Sequence, residues 1–309
     1  MYTNLLVPLD TSSTAEQVLP YLRHLASPQT TIHLVSVVEP HLYAYAMAAQ
    51  ERVVQEKLQA VIKNDMEQYL EQIQEHLQNQ GYQVERWLAA GDAAQTIADV
   101  ASKVNADLIA MTTHGRTGLA RWALGSVADR VIHSAQQPIF LVRTNETPPL
   151  RYEIQQILVP LDGSQIAEEA LADAKTLATE TNAALSIVRV LEPLSDWQKE
   201  VLAEQGYQEA AIEQERRAEA SSYLNTISAQ LNAAHITTTC ELFSGQASEA
   251  ILHILNRVPI DLVVMSTHGL SGYSRWVYGS VAGKVLHSAP CPLLLRRSVA
   301  LQAGRTHTA

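Results

Sequence analysis

Short apolar runs alternate with longer stretches in which apolar residues recur every three or four positions, and the alternation continues through most of the chain. The first run, "NLLVPL", has the length and content of a buried strand. Asp10 ends it, and the Thr-Ser residues that follow are expected to cap the next helix. "TIHLVSVV" reads as a second strand. Val54, Leu58, Val61, Ile62, Met66, Tyr69, Leu70, Ile73 and Leu77 then mark the apolar side of a long helix that Gly81 closes. "QVERWLAAG" is a third strand, "AQTIADVAS" a helix, "ADLIAM" a fourth strand, "SVADRVIHSA" a helix and "IFLV" a final strand. Short apolar strands separated by helices imply a parallel sheet covered on both faces, with right-handed crossovers.

The same series is then written again. "NLLVPLDTS" matches "QILVPLDGS", setting Asp10 against Asp162 at a spacing of 152. "LVSVVEP" matches "IVRVLEP", setting Val37 against Val190 at 153. Gly91, Gly115 and Gly125 match Gly245, Gly269 and Gly279 at 154. A register that drifts by two residues over a whole unit indicates a duplication. The second long helix is less regular, through Tyr223, Leu224, Ile227 and Leu231. The two prolines of "TNETPPLR", residues 144–151, suit a linker. The domains are therefore expected at 1–146 and 152–298.

Composition narrows the function. A length of 309 residues suits two domains, and 47% hydrophobic residues give each a core. A net charge of −10 disfavours nonspecific nucleic-acid binding, while a local basic patch could still hold a small anion such as a nucleotide. Cys240 and Cys291 have no zinc-type spacing and read as reduced thiols. The start lacks a charged and then apolar leader, and no apolar run reaches membrane length, so a cytoplasmic location is expected. "LQAGRTHTA" reads as a frayed tail.

The most distinctive repeated phrase is "THGRTGLARWALGS", 113–126, against "THGLSGYSRWVYGS", 267–280. It leaves the carboxyl end of a strand and runs into a helix, the edge at which open parallel sheets bind ligands. Gly115 and Gly125 allow close backbone approach, and the first amides of the following helix, with its dipole and Ser126, suit a phosphate. The structural alternative is an ordinary turn and helix cap. Walker-type, dinucleotide, hydrolase-elbow and kinase signatures do not occur in the sequence.

With these motifs the chain resembles the universal stress proteins in tandem form, over about 295 residues. Nucleotide-binding members of that family look like Gly-x-x-Gly, nine residues, then Gly-Ser or Gly-Thr. Gly115, Gly125 and Ser126 match the last elements, as do Gly269, Gly279 and Ser280, while Thr112 and Ser266 replace the leading glycine. A β-carbon there could crowd the phosphates or a hydroxyl could add a hydrogen bond. The resemblance implies an α/β fold of two doubly wound, open five-stranded parallel sheets. Their strand order is 3-2-1-4-5, like that of the adenine nucleotide alpha hydrolases. The halves are expected to pack as a pseudo-twofold pair through their final strands, with a homodimer as a further expectation.

The resemblance also implies a nucleotide site in each half. Pro8 and Asp10, or Pro160 and Asp162, line the adenosine side, and Val37 or Val190 offers backbone groups to adenine. Met111, Thr112, His114 and Val127, or Met265, Ser266, His268 and Val281, complete the set with the loop glycines and serines. Either aspartate could instead cap its helix, or hold Mg²⁺ through water. His114 and His268 are read as phosphate or backbone contacts rather than catalysts. Arg121 and Arg275 could clamp phosphates but are read as solvated or surface-paired, and Trp122 and Trp276 as packing anchors. Three functions remain open: a regulatory stress protein that binds ATP or a related adenine nucleotide, a slow ATPase or autophosphorylating enzyme, and an interaction module that has lost nucleotide.

Overall fold

The computed structural model describes residues 2–39, 52–114, 124–144, 152–267 and 278–297. The chain divides into two units, Met1–Tyr152 and Glu153–Ala309.

In the first unit, β1 (Asn4–Pro8), β2 (Thr31–Val38), β3 (Gln83–Ala90), β4 (Leu108–Thr112) and β5 (Ile139–Val142) lie in the order β3-β2-β1-β4-β5. Every pairing described among them is parallel. β4 and β5 are buried at every residue, which requires cover on both faces, whereas in the edge strand β3 only Val84 is buried. A carboxylate clasps the start of this sheet: Asp107 Oδ2 accepts the amides of Thr3 at 2.7 Å and Asn4 at 2.9 Å.

The segment after Asp10 departs from the expected α-helix. Ala15–Tyr21 winds as a 3₁₀-helix and continues as a single α turn, α1 (Leu22–Leu25). Pro20 inside this stretch has no amide hydrogen to give to an α bond, so the tighter winding results. The long helix is α2 (Arg52–Asn79). Met66, Leu70 and Leu77 are buried along it, but Val61 is 54% exposed. It stands one residue, about 100° of rotation, away from the line through Ile62 and Met66. The side chains of Val54 and Leu58 lie outside the described residues. α3 (Ala93–Lys103) and α4 (Ser126–Ser134) carry the chain to β4 and β5.

The second unit repeats the plan. β6 (Gln156–Pro160), β7 (Ala184–Leu191), β8 (Thr238–Ser244), β9 (Leu262–Ser266) and β10 (Leu293–Arg296) take the order β8-β7-β6-β9-β10, and the pairings described are parallel. Asp261 makes the same clasp, accepting the amides of Gln155 and Gln156. Here α5 (Gln165–Thr181) is a full helix with no internal proline. α6 (Asp196–Glu204), which periodicity did not reveal because it buries no residue, precedes α7 (Glu209–Ala233). α8 (Ala247–Arg257) and α9 (Ser280–Ser288) complete the unit.

Candidate functional site

In each unit the carboxyl ends of the first, second and fourth strands converge, because the first strand pairs with both of the others. The helix after the fourth strand begins at the same edge. In the second unit these ends enclose a cavity of about 490 Å³, within the range of small-molecule sites. Pro160, Asp162, Val190, Met265, Ser266, Gly279, Ser280 and Val281, all singled out from the sequence, line it. His268 and Gly269 lie outside the described residues, as do Gly115, Arg121, Trp122, Arg275 and Trp276.

The first unit places its equivalents in the same way along its strands. Pro8 ends β1, Val37 is half-buried near the end of β2, and Met111 and Thr112 end β4. Gly125 is the N-cap of α4, with Ser126 and Val127 in its first turn.

The loop closes on itself at one bond. Gly125 donates its amide to the Thr113 carbonyl at 2.9 Å, and Gly279 does the same to Thr267 at 2.8 Å. The glycine amides are thus committed within the protein. The first α bonds run from Asp129 to Gly125 and from Gly283 to Gly279. The amides of Ser126, Val127 and Ala128, and of Ser280, Val281 and Ala282, find no acceptor among the described residues. Any anion would be held by these donors and the positive end of the helix dipole.

The hydroxyl at the replaced glycine is also engaged in the first unit. Thr112 is buried and its Oγ1 donates to the His114 carbonyl at 2.8 Å, so it holds the loop. Ser266 is buried and lines the cavity. Burial, with a smaller effect of the Arg143 charge, lowers the pKa of His114 below the usual imidazole value of 6.5. The ring is then mostly neutral at pH 7.

Both aspartates act on the backbone. Asp10 Oδ1 accepts the Ser12 amide at 3.1 Å and its hydroxyl at 2.5 Å, and Ser12 Oγ accepts the Ala15 amide at 3.1 Å. Asp162, Ser164 and Ala167 repeat the relay at 2.9, 2.6 and 3.1 Å. One oxygen of each carboxylate is therefore occupied by the turn that starts the next helix. Among the described residues no group of three or more His, Cys, Asp or Glu side chains could hold a metal ion.

Sequence reasoning missed several residues that line the cavity: Arg189, Glu192, Arg216 and Glu219. Arg216 donates to the Glu192 carbonyl at 2.9 Å, and Glu192 Oε1 accepts the amide of Ala247 at the start of α8. Glu39 makes the same contact with Ala93 in the first unit. The glutamate of "VVEP" and "VLEP" is thus a helix cap contributed from a neighbouring strand, a role that the repeated motif signalled without specifying.

The family model of the universal stress proteins matches residues 1–143 and again 153–297. The chain belongs to the universal stress protein family. A universal stress protein of Thermus aquaticus is 35% identical over 141 residues, 46% of this chain and 97% of that protein. The crystal structure of a universal stress protein from Archaeoglobus fulgidus covers 95% of this chain and 96% of its own, with a TM-score of 0.68 and 20% identity, a likeness of fold alone. A universal stress protein solved in complex with cAMP covers 47% of this chain and 98% of its own at 18% identity. Its TM-score is 0.30. No helix among the described residues is long and apolar enough to cross a membrane.

Proposed function

We propose that the chain is a regulatory stress-response protein that binds an adenine nucleotide, ATP or a shorter relative, with or without Mg²⁺. The base sits on the apolar wall of Val190, Met265 and Pro160, and the phosphates lie on the first amides of α9. The first unit offers the corresponding amides of α4. The observation that carries this reading is the second unit's cavity of about 490 Å³, lined by a mainly apolar wall and by a helix start with open donors. Because ligand binds only the folded protein, a nucleotide at about 100 times its Kd adds about 2.7 kcal/mol of stability.

The test replaces Ser280 by proline. Gly279 has φ −63° and ψ 158°, a conformation that a following proline favours, and proline suits the first helical position. Ser280→Pro therefore removes one open amide and the hydroxyl while preserving the backbone path. ATP with Mg²⁺ is expected to raise the melting temperature of the parent and to raise that of Ser280→Pro less, with ligand-free melting unchanged. A parent that answers to no adenine nucleotide and releases none on heating would be an interaction module instead. Phosphate release at enzymatic rates would assign it to the slow ATPases.

A further inference from the structure

Arg189 lines the second unit's cavity from β7 and is half-buried, yet its guanidinium has no hydrogen-bond acceptor or carboxylate partner among the described residues. Its Cζ lies 5.0 Å from the centre of the Tyr223 ring. Stacking of this kind fixes the plane of a guanidinium and leaves its N–H donors free to point elsewhere. The group also lies close to Gly163. A β-carbon at residue 163 would lie 3.0 Å from Nη2 and 3.1 Å from Cζ and Nη1. Gly163 also has φ +86°, so this residue both turns the chain after Asp162 and leaves the space that the cation occupies.

The first unit provides an internal comparison. At the matching positions Gly163 becomes Thr11 and Arg189 becomes Ser36. Ser36 is fully buried, and its hydroxyl donates to the Leu9 carbonyl at 2.7 Å. The small residue that makes room and the cation that uses the room are present together in one unit and absent together from the other. The first unit has a neutral, internally satisfied side chain where the second presents five donors and a permanent charge at its cavity wall.

We infer that Arg189 is an anion-binding residue of the second unit. It makes that cavity select phosphorylated mononucleotides over nucleosides, and makes the two units non-equivalent. The inference rests on the nucleotide reading above and assigns it a selectivity determinant outside the glycine-serine loop. Asp162, Glu192 and Glu219 also line the cavity, and without Arg189 the single cation Arg216 would, among the described residues, face three carboxylates, whose charges oppose a phosphate. The guanidinium offsets them and adds charge-assisted hydrogen bonds.

The experiment is calorimetric titration of the full chain with adenosine, AMP and ATP. Arg189→Met is expected to weaken AMP and ATP at one class of sites by about tenfold and to leave adenosine unchanged, as the loss of a charge-assisted bond implies. Arg189→Gln keeps much of the stem and two donors without the charge, and is expected to show the same selective loss. It serves as the second variant if Arg189→Met melts lower without ligand. Unchanged phosphate affinity in both variants, or an equal loss for adenosine, would overturn the role of Arg189 while leaving nucleotide binding standing. A parent that binds none of the three ligands would overturn both.

Discussion

A β-carbon placed on Gly125 would sit 2.6 Å from the carbonyl oxygen of Thr113, closer than such atoms approach. The backbone of Gly125 has φ −64° and ψ 148°, which any residue can adopt, so space and not conformation demands glycine here. The carbonyl cannot move away without losing the bond it accepts from the Gly125 amide. Gly125→Ala is therefore expected to destabilise the protein by about 1–3 kcal/mol, as overpacking does. The loss should appear in the ligand-free chain by urea denaturation. An unchanged midpoint would show that the loop tolerates the methyl group, and would return the glycine to a purely ligand-facing role.

Thr11 and Gly163 occupy the same left-handed turn, with φ of 69° and 86°. A β-branched residue at such a φ is strained by about 1–2 kcal/mol, and glycine is not. Part of the relief on replacing it is lost to the greater freedom of glycine in the unfolded chain. Thr11→Gly is expected to stabilise the protein by about 0.5–1 kcal/mol, seen as a higher melting temperature. Gly163→Ala should do the opposite, and by more, since it also displaces Arg189.

His33 places a buried imidazole in the first unit where the second has Ser186. It is buried, its Nε2 lies 3.4 Å from Asn4 Oδ1, and its Nδ1 lies 3.3 Å from the Trp87 indole donor and 3.2 Å from Glu85 Oε2. Lys103 stands over the Trp87 ring. Burial lowers the pKa below 6.5, and Glu85 only partly opposes this, since its side chain is 58% exposed and its charge is screened. A group held neutral by the fold stabilises it fully above its unfolded pKa. That contribution is lost as pH falls from about 6.5 through the lower folded value. At the matching positions the second unit has Gln156, Ser186 and Thr239, with no imidazole, and Glu241 where the first unit has Trp87. The urea midpoint of the parent should drop below pH 6.5, and His33→Gln should make that drop shallower, the remainder coming from His114, whose pKa burial also lowers. A His33→Gln profile parallel to the parent's would place the acid sensitivity elsewhere.

Most of the strand and helix sequence was legible because apolar period and repeat spacing agreed. Two copies of each element removed the ambiguity that short apolar runs carry alone. The misreadings have local causes. Pro20 converted an expected α-helix to a 3₁₀ turn, and α6 left no periodic trace because it lies on the surface. The lining of the cavity was legible where a motif marked it, as at Asp162 and Ser280. Arg189 was not, because nothing in "IVRVLEP" reveals that Gly163 and Tyr223, distant in sequence, will seat its guanidinium. Nor could spacing reveal that the loop glycine spends its own amide on Thr113.

The two cores also diverge at a buried pair. On β10, Arg296 donates from Nε and Nη2 to both oxygens of Asp173 on α5, the second bond at 2.7 Å. Asp173 is 7% exposed and Arg296 27%, so the carboxylate depends on this partner for compensation. At the matching positions the first unit has Tyr21 and Val142, and Tyr21 packs 5.6 Å from Phe140 and 5.2 Å from Tyr152 between ring centres. One unit thus fills with aromatic contact the place that the other fills with charge. Removing one partner strands the other, so Arg296→Met alone should cost about 3–5 kcal/mol. Removing both should cost far less, because a buried ion pair repays little beyond its own desolvation. Asp173→Leu with Arg296→Met is therefore expected to recover most of the loss in a urea double-mutant cycle. If the double variant loses the sum of the two single losses, the carboxylate and guanidinium act independently, and the pair is not what holds α5 to β10.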